Sequence, residues 1–139
     1  MISLFAPERN GKYSGIYVDY GISAGFPSPA DDFLQQKLSL DEKLIKDKEA
    51  TFYARVSGNS MIGAGLDDGD LLIIDRSISP FNNAIAVCYL EGEFTVKRLR
   101  IEKDAITLLP ENPNFKPIEI NGDMELVIWG VVSYVIKKV

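Results

Sequence analysis

Histidine is absent from the 139-residue chain. That excludes the Ser–His–Asp triad, the Cys–His dyad and every zinc site that needs an imidazole. Cysteine is nearly absent. Cys88 stands alone, so neither an intrachain disulfide nor a paired-cysteine metal knuckle can form. Long apolar runs are missing, since every such stretch stops well short of the roughly 20 residues that cross a bilayer as a helix. Pro7, Glu8 and Arg9 stand where a signal peptide needs its apolar segment. The expected compartment is therefore the cytosol, without membrane contact. Positive charge is in deficit, with 15 Lys and Arg against 20 Asp and Glu for a net charge of −5. A domain that grips nucleic acid by itself carries a basic excess, because phosphate contacts supply most of the affinity. Direct, specific DNA binding is thus not expected. The chain has no P-loop and no dinucleotide fingerprint, and no cofactor is expected.

What is present fits one ordinary domain. The chain is 46% hydrophobic and 25% charged, enough for a core without disulfide or metal staples. Residues 1–30 differ from the rest. They hold Gly11, Gly15, Gly21 and Gly25 with Pro7, Pro27 and Pro29, and their apolar residues follow neither a helical nor a sustained strand period. Such a segment is either a loose terminus or an accessible arm containing a recognised peptide bond. Over residues 25–48, Ser28 before Pro29, and Ser39 three residues before Glu42, predict one or two short helical turns in a linker. From residue 51 the pattern turns to strands, predicted at 51–56, 71–75, 84–90, 94–100, 105–109, 117–120 and 126–135. Glu91-Gly92-Glu93 reads as a hairpin connection. The fold class is all-β, or β-dominated, with short connections.

Two places could carry chemistry. Ser57-Gly58-Asn59-Ser60-Met61 follows a predicted strand, and Gly58 permits a sharp turn that can present a hydroxyl beside free backbone N–H groups. The same residues are also ordinary turn formers. Lys97 lies in Phe94-Thr-Val-Lys-Arg-Leu-Arg100, sharing a strand face with Thr95 and Leu99. A free lysine, with a pKa of about 10.4, is no base at neutral pH. Burial lowers that value because water no longer stabilises the ammonium, and a neutral lysine can then activate a hydroxyl. On an edge strand it would simply be a surface lysine with its charge in water. Asp67, Asp68 and Asp70 lack the spacing of a calcium loop and read as turn residues, and no metal site is expected. Cys88 sits in an apolar strand and reads as a core thiol.

Taken in order, Ala24-Gly25-Phe26-Pro27-Ser28-Pro29-Ala30, Ser57-Gly58-Asn59-Ser60-Met61, Asp68-Gly69-Asp70-Leu71-Leu72 and Glu91-Gly92-Glu93-Phe94-Thr95-Val96-Lys97 closely resemble the UmuD proteins. These belong with the LexA-type self-cleaving peptidases of the bacterial SOS response. The resemblance runs from about residue 22 to the C-terminus. It implies Ser60 as nucleophile, Lys97 as general base, the Asn59 and Ser60 amides as oxyanion donors, and the Ala24–Gly25 bond as the self-cleavage site. It implies a highly curved β-fold with a flexible N-terminal arm, residues 1–24, cut away from a peptidase domain, residues 25–139. It also implies a homodimer, stimulation by the RecA filament on single-stranded DNA, and a product that joins a UmuC-type polymerase in translesion synthesis. One departure is visible: UmuD proteins often carry Gly-Asp where this chain has Asn83–Ala84.

Arg9, Lys12, Glu8 and Asp19 of the arm cancel, so cleavage leaves the net charge of −5 unchanged. Uncovering a surface, not a change of charge, is then the expected consequence. Rival expectations remain. A LexA repressor needs an upstream helix-turn-helix domain, for which 24 residues are too few. A type I signal peptidase needs a membrane anchor. A catalytically idle dimeric module for a polymerase, or an antitoxin-like or phage regulator on the same core, would need neither.

Overall fold

β-Branched residues concentrate after residue 50, and the segments they fill pair into one antiparallel sheet. The computed structural model describes residues 2–6, 15–17 and 36–139. In chain order the elements are β1 (Ile2–Phe5), β2 (Gly15–Tyr17), β3 (Gln36–Leu38), α1 (Leu40–Leu44), β4 (Thr51–Val56), β5 (Leu71–Asp75), β6 (Ile85–Leu90), β7 (Glu93–Glu102), β8 (Ala105–Leu109), β9 (Ile118–Glu119) and β10 (Leu126–Ile136), with a 3-10 turn at Ile62–Ala64. The expectation of a β-dominated fold holds. The chain divides into two units, Glu8–Lys46 and Met1–Pro7 with Asp47–Val139.

In the smaller unit β2 and β3 pair antiparallel, Gly15 opposite Leu38. The predicted Ser39–Glu42 cap marks the start of α1, but the Ser39 side chain makes no capping hydrogen bond. The Ser28–Pro29 start lies outside the described residues.

The larger unit holds an eight-stranded sheet in the order β1-β4-β5-β10-β6-β7-β8-β9. Every predicted strand from residue 51 on is present, with ends shifted by one or two residues where they differ at all. β1 was not expected. It pairs Ile2–Phe5 with Val56–Tyr53 of β4. The hairpin between β6 and β7 is the two-residue primed type: Glu91 and Gly92 have φ of 50° and 84°, and Leu90 pairs with Glu93. Positive φ at both central residues matches the natural twist of the flanking strands. Asn83, at the departure from the UmuD pattern, has φ of 73°. Asparagine tolerates that left-handed conformation better than other residues with a Cβ. The turn is closed by Ala84 N–H to Phe81 O at 3.1 Å, and Asn83 N–H donates across to Leu99 O of β7 at 2.8 Å.

The core lies on both faces of β6 and β7. Val87 and Val96 join Ala54, Leu72, Ile74 and Met61 in one cluster. Ala86, Cys88 and Leu99 join Leu108 and Val131 in the other. β10 crosses the sheet with register shifts at Ile128–Gly130 and Val132–Tyr134. At the first, Arg76 lies 4.4 Å over the Trp129 ring, and its Nε donates to Trp129 O at 2.8 Å. A Cβ on Gly130 would sit 2.6 Å from Ile74 Cγ2 and 3.1 Å from Arg76 Cγ. Gly130→Ala is therefore expected to destabilise the protein by about 1–3 kcal/mol, the usual cost of overpacking. Urea unfolding should show a lower midpoint at unchanged slope.

Candidate active site

β4 delivers the chain into the loop that carries Ser60. Gly58 turns it with φ of +97°, a conformation that favours glycine. Its amide donates to Asp68 Oδ1 at 2.8 Å. The Asp67–Asp70 turn thus acts as a brace for this loop: Val56 N–H reaches Asp70 O and Gly69 N–H reaches Val56 O, both at 2.8 Å. Asp70 is itself buried, which alone would raise its carboxyl pKa. Hydrogen bonds from Lys137 and the Asp67 amide outweigh this and hold it below the usual carboxylate range. After Ser60, the Met61 side chain anchors in the core at 3% exposure. Ser60 is left half-buried between a braced turn and an anchored methionine.

β7 supplies the partner. It lies between β6 and β8, so Lys97 is not on an edge strand. Lys97 is 8% exposed and faces the small Ala86 across the ladder. Its Nζ lies 3.3 Å from Ser60 Oγ, 2.7 Å from Thr95 Oγ1 and 3.1 Å from Val96 O. No Asp or Glu among the described residues is in ion-pair contact with it. Burial therefore lowers its pKa, opposed only in part by Cys88. Burial pushes the Cys88 thiol up to about 12. That side chain is fully enclosed and stays protonated at neutral pH, which suits a core residue and not a nucleophile.

A small open cleft of about 50 Å³ adjoins Ser60 and Thr95, walled by Val56, Met61, Leu66 and Val96. It has room for a small side chain beside the hydroxyl. Among the described residues, the amides of Asn59 and Ser60 take no part in the hydrogen bonds that tie the loop down. Of the residues singled out from sequence, Ser60, Asn59 and Lys97 come together here. Ala24 and Gly25 lie outside the described residues. Thr95 gains a site role only in the structure, and its one signal in the sequence is its place two residues before Lys97 on the same strand face. Asp68 and Asn112 also reach the Ser60 loop, although their local sequences look like any polar turn.

The arrangement is a hydroxyl in contact with an amine whose pKa burial lowers, beside two backbone N–H groups that have no acceptor among the described residues. Comparison with known proteins agrees with its chemistry. Residues 16–133 match the Peptidase S24-like family model. The chain is 44% identical to protein MucA of Salmonella typhimurium over 114 residues, covering 81% of this chain and 77% of MucA. It is 40% identical to protein ImpA of Shigella flexneri over 116 residues, covering 83% and 78% of the two chains. Identity to protein SamA of Salmonella typhimurium is 43% over 140 residues, 99% of this chain and 96% of SamA, so the likeness extends upstream of residue 22. The chain belongs to the Peptidase S24-like family, in its LexA/UmuD branch of self-cleaving serine peptidases.

Proposed function

We propose that this chain is a UmuD-type SOS mutagenesis protein that cuts its own Ala24–Gly25 bond with a Ser60–Lys97 dyad. The observation that carries this reading is the 3.3 Å approach of a buried lysine amine, with no carboxylate partner among the described residues, to the Ser60 hydroxyl. Neutral Lys97 accepts the Ser60 proton as Oγ attacks the Ala24 carbonyl carbon. The resulting oxyanion is held by the Ser60 and Asn59 N–H groups, whose contribution is realised only as charge develops. Collapse breaks the Ala24–Gly25 bond, and the Lys97 ammonium gives its proton to the departing Gly25 amine. Water then attacks the Ser60–Ala24 ester, with Lys97 again as base, and frees residues 1–24. The small Ala24 side chain suits the small cleft beside Ser60.

The substrate is tethered, so its effective concentration is set by the arm. The rate then follows the fraction of time the arm spends in the productive pose. A RecA filament on single-stranded DNA would act by raising that fraction. The product, residues 25–139, would act as a homodimer in the cytosol and serve a UmuC-type polymerase during translesion synthesis. Incubation of the full chain with RecA, ATP and single-stranded DNA should yield one fragment whose N-terminal residue is Gly25. A chain that stays intact both there and at alkaline pH would instead favour the idle polymerase-binding module.

A further inference from the structure

We infer that Asn112 is a positioning residue that aims the Ser60 amide at the oxyanion, an inference that rests on the self-cleavage reading above. Asn112 lies in the loop between β8 and β9. Pro113, Asn114 and Phe115, which follow it, are exposed, yet Asn112 is only 6% exposed. A buried amide side chain is costly unless its hydrogen bonds are made. Here its Nδ2 donates to Asn59 O at 2.9 Å, and its Oδ1 accepts from Asn114 N–H at 2.9 Å.

The Nδ2 contact matters because of the group it holds. Asn59 O belongs to the peptide unit whose other end is the Ser60 N–H. That unit is planar and trans, so fixing the carbonyl fixes the direction of the N–H. The preceding residue grips the next peptide in the same way, since Glu111 N–H donates to Ser60 O at 2.8 Å. Gly63 N–H returns a bond to Glu111 O at 2.7 Å. A Cβ on Gly63 would lie 2.5 Å from that oxygen, so the two segments are as close as backbones allow. Arg98, next to Lys97 on β7, pairs with the Glu111 carboxylate. Residues 111–112 thus clasp the peptide units on both sides of the nucleophile and tie them to the strand of the base. Among the described residues, the Asn112 side chain bonds to Asn59 O and Asn114 N–H and to neither Ser60 Oγ nor Lys97 Nζ.

The test is the rate of self-cleavage at its alkaline plateau in Asn112→Asp and Asn112→Ala, measured well below each variant's unfolding midpoint. Asn112→Asp keeps the side chain's size and the bond from Asn114 but offers Asn59 O no donor. Asn112→Ala removes both contacts. Both should cleave about 10²-fold more slowly, the scale of a misaimed catalytic group. In Asn112→Ala the pH midpoint of cleavage should stay at the wild-type value, since Lys97 keeps its surroundings. Asn114→Ala should cleave at the wild-type rate. An Asn112→Asp protein that cleaves like wild type would assign Asn112 to the turn alone and overturn the inference. It decides the matter even where Asn112→Ala does not fold. Wild type that never cleaves, or Ser60→Ala that cleaves as fast, would bring down the self-cleavage reading and this inference with it.

Discussion

Ser60→Ala and Lys97→Ala proteins should remain full length under alkaline conditions that convert the wild type to a fragment beginning at Gly25. Loss of a serine peptidase's nucleophile or of its base costs on the order of 10⁶-fold, far more than slow self-cleavage can sustain. Lys97→Arg should be as inactive. A guanidinium stays charged at any accessible pH, so it can fill the space beside Ser60 Oγ without accepting a proton. That variant separates the need for a base from the need for a long side chain at this position. Intact mass and N-terminal sequencing over several days are sufficient readouts. Conversion of Ser60→Ala at the wild-type rate would rule out Ser60 as the attacking group.

Self-cleavage of the wild type should quicken about tenfold for each pH unit below the Lys97 midpoint and level off above it, as one required deprotonation dictates. Burial lowers the Lys97 pKa, so the plateau should begin below the pH at which a free lysine loses its proton. The same burial leaves a mark on stability. Between the lowered Lys97 value and the ordinary one near 10.4, the unfolded chain binds more protons than the folded chain. Stability therefore rises with pH across that window. Below the window the fold bears the full cost of a buried ammonium. Lys97→Met should remove this slope and stabilise the protein at neutral pH, as urea midpoints measured across the range would show. A pH-independent cleavage rate would contradict the role given to Lys97.

The strands were legible because their residues carry a local signal. Leu71–Asp75 and Ile85–Leu90 are rich in Leu, Ile and Val, and Glu91–Gly92 is a turn whose chemistry names its own geometry. The site was legible in a different way. Neither a Ser-Gly-Asn-Ser turn nor a lysine on a strand says much alone, and their order along the chain carried the assignment. What escaped depends on tertiary contact. Ile2–Phe5 is too short to show a period and gains its strand character by lying against β4. The shift around Trp129 is dictated by Arg76 and Ile74, residues more than 50 positions away. Asn112 sits in Pro110-Glu-Asn-Pro113, which looks like a surface turn until Asn59 is seen beside it.

β1 lies upstream of residue 24, so scission after Ala24 would end its covalent tie to the sheet it borders. The freed residues 1–24 would be held, among the described residues, only by two short ladders, four residue pairs of β1 on β4 and three of β2 on β3, and would be lost on dilution. Tyr53, Ala54, Arg55 and Val56 would then become the outermost rail, and the place Leu4 takes against the core would fall empty. The outermost strand of a sheet can pair with an extended segment of another chain. Self-cleavage would in that sense move the border of the sheet from β1 to β4 and open the place of Leu4, with no change in net charge.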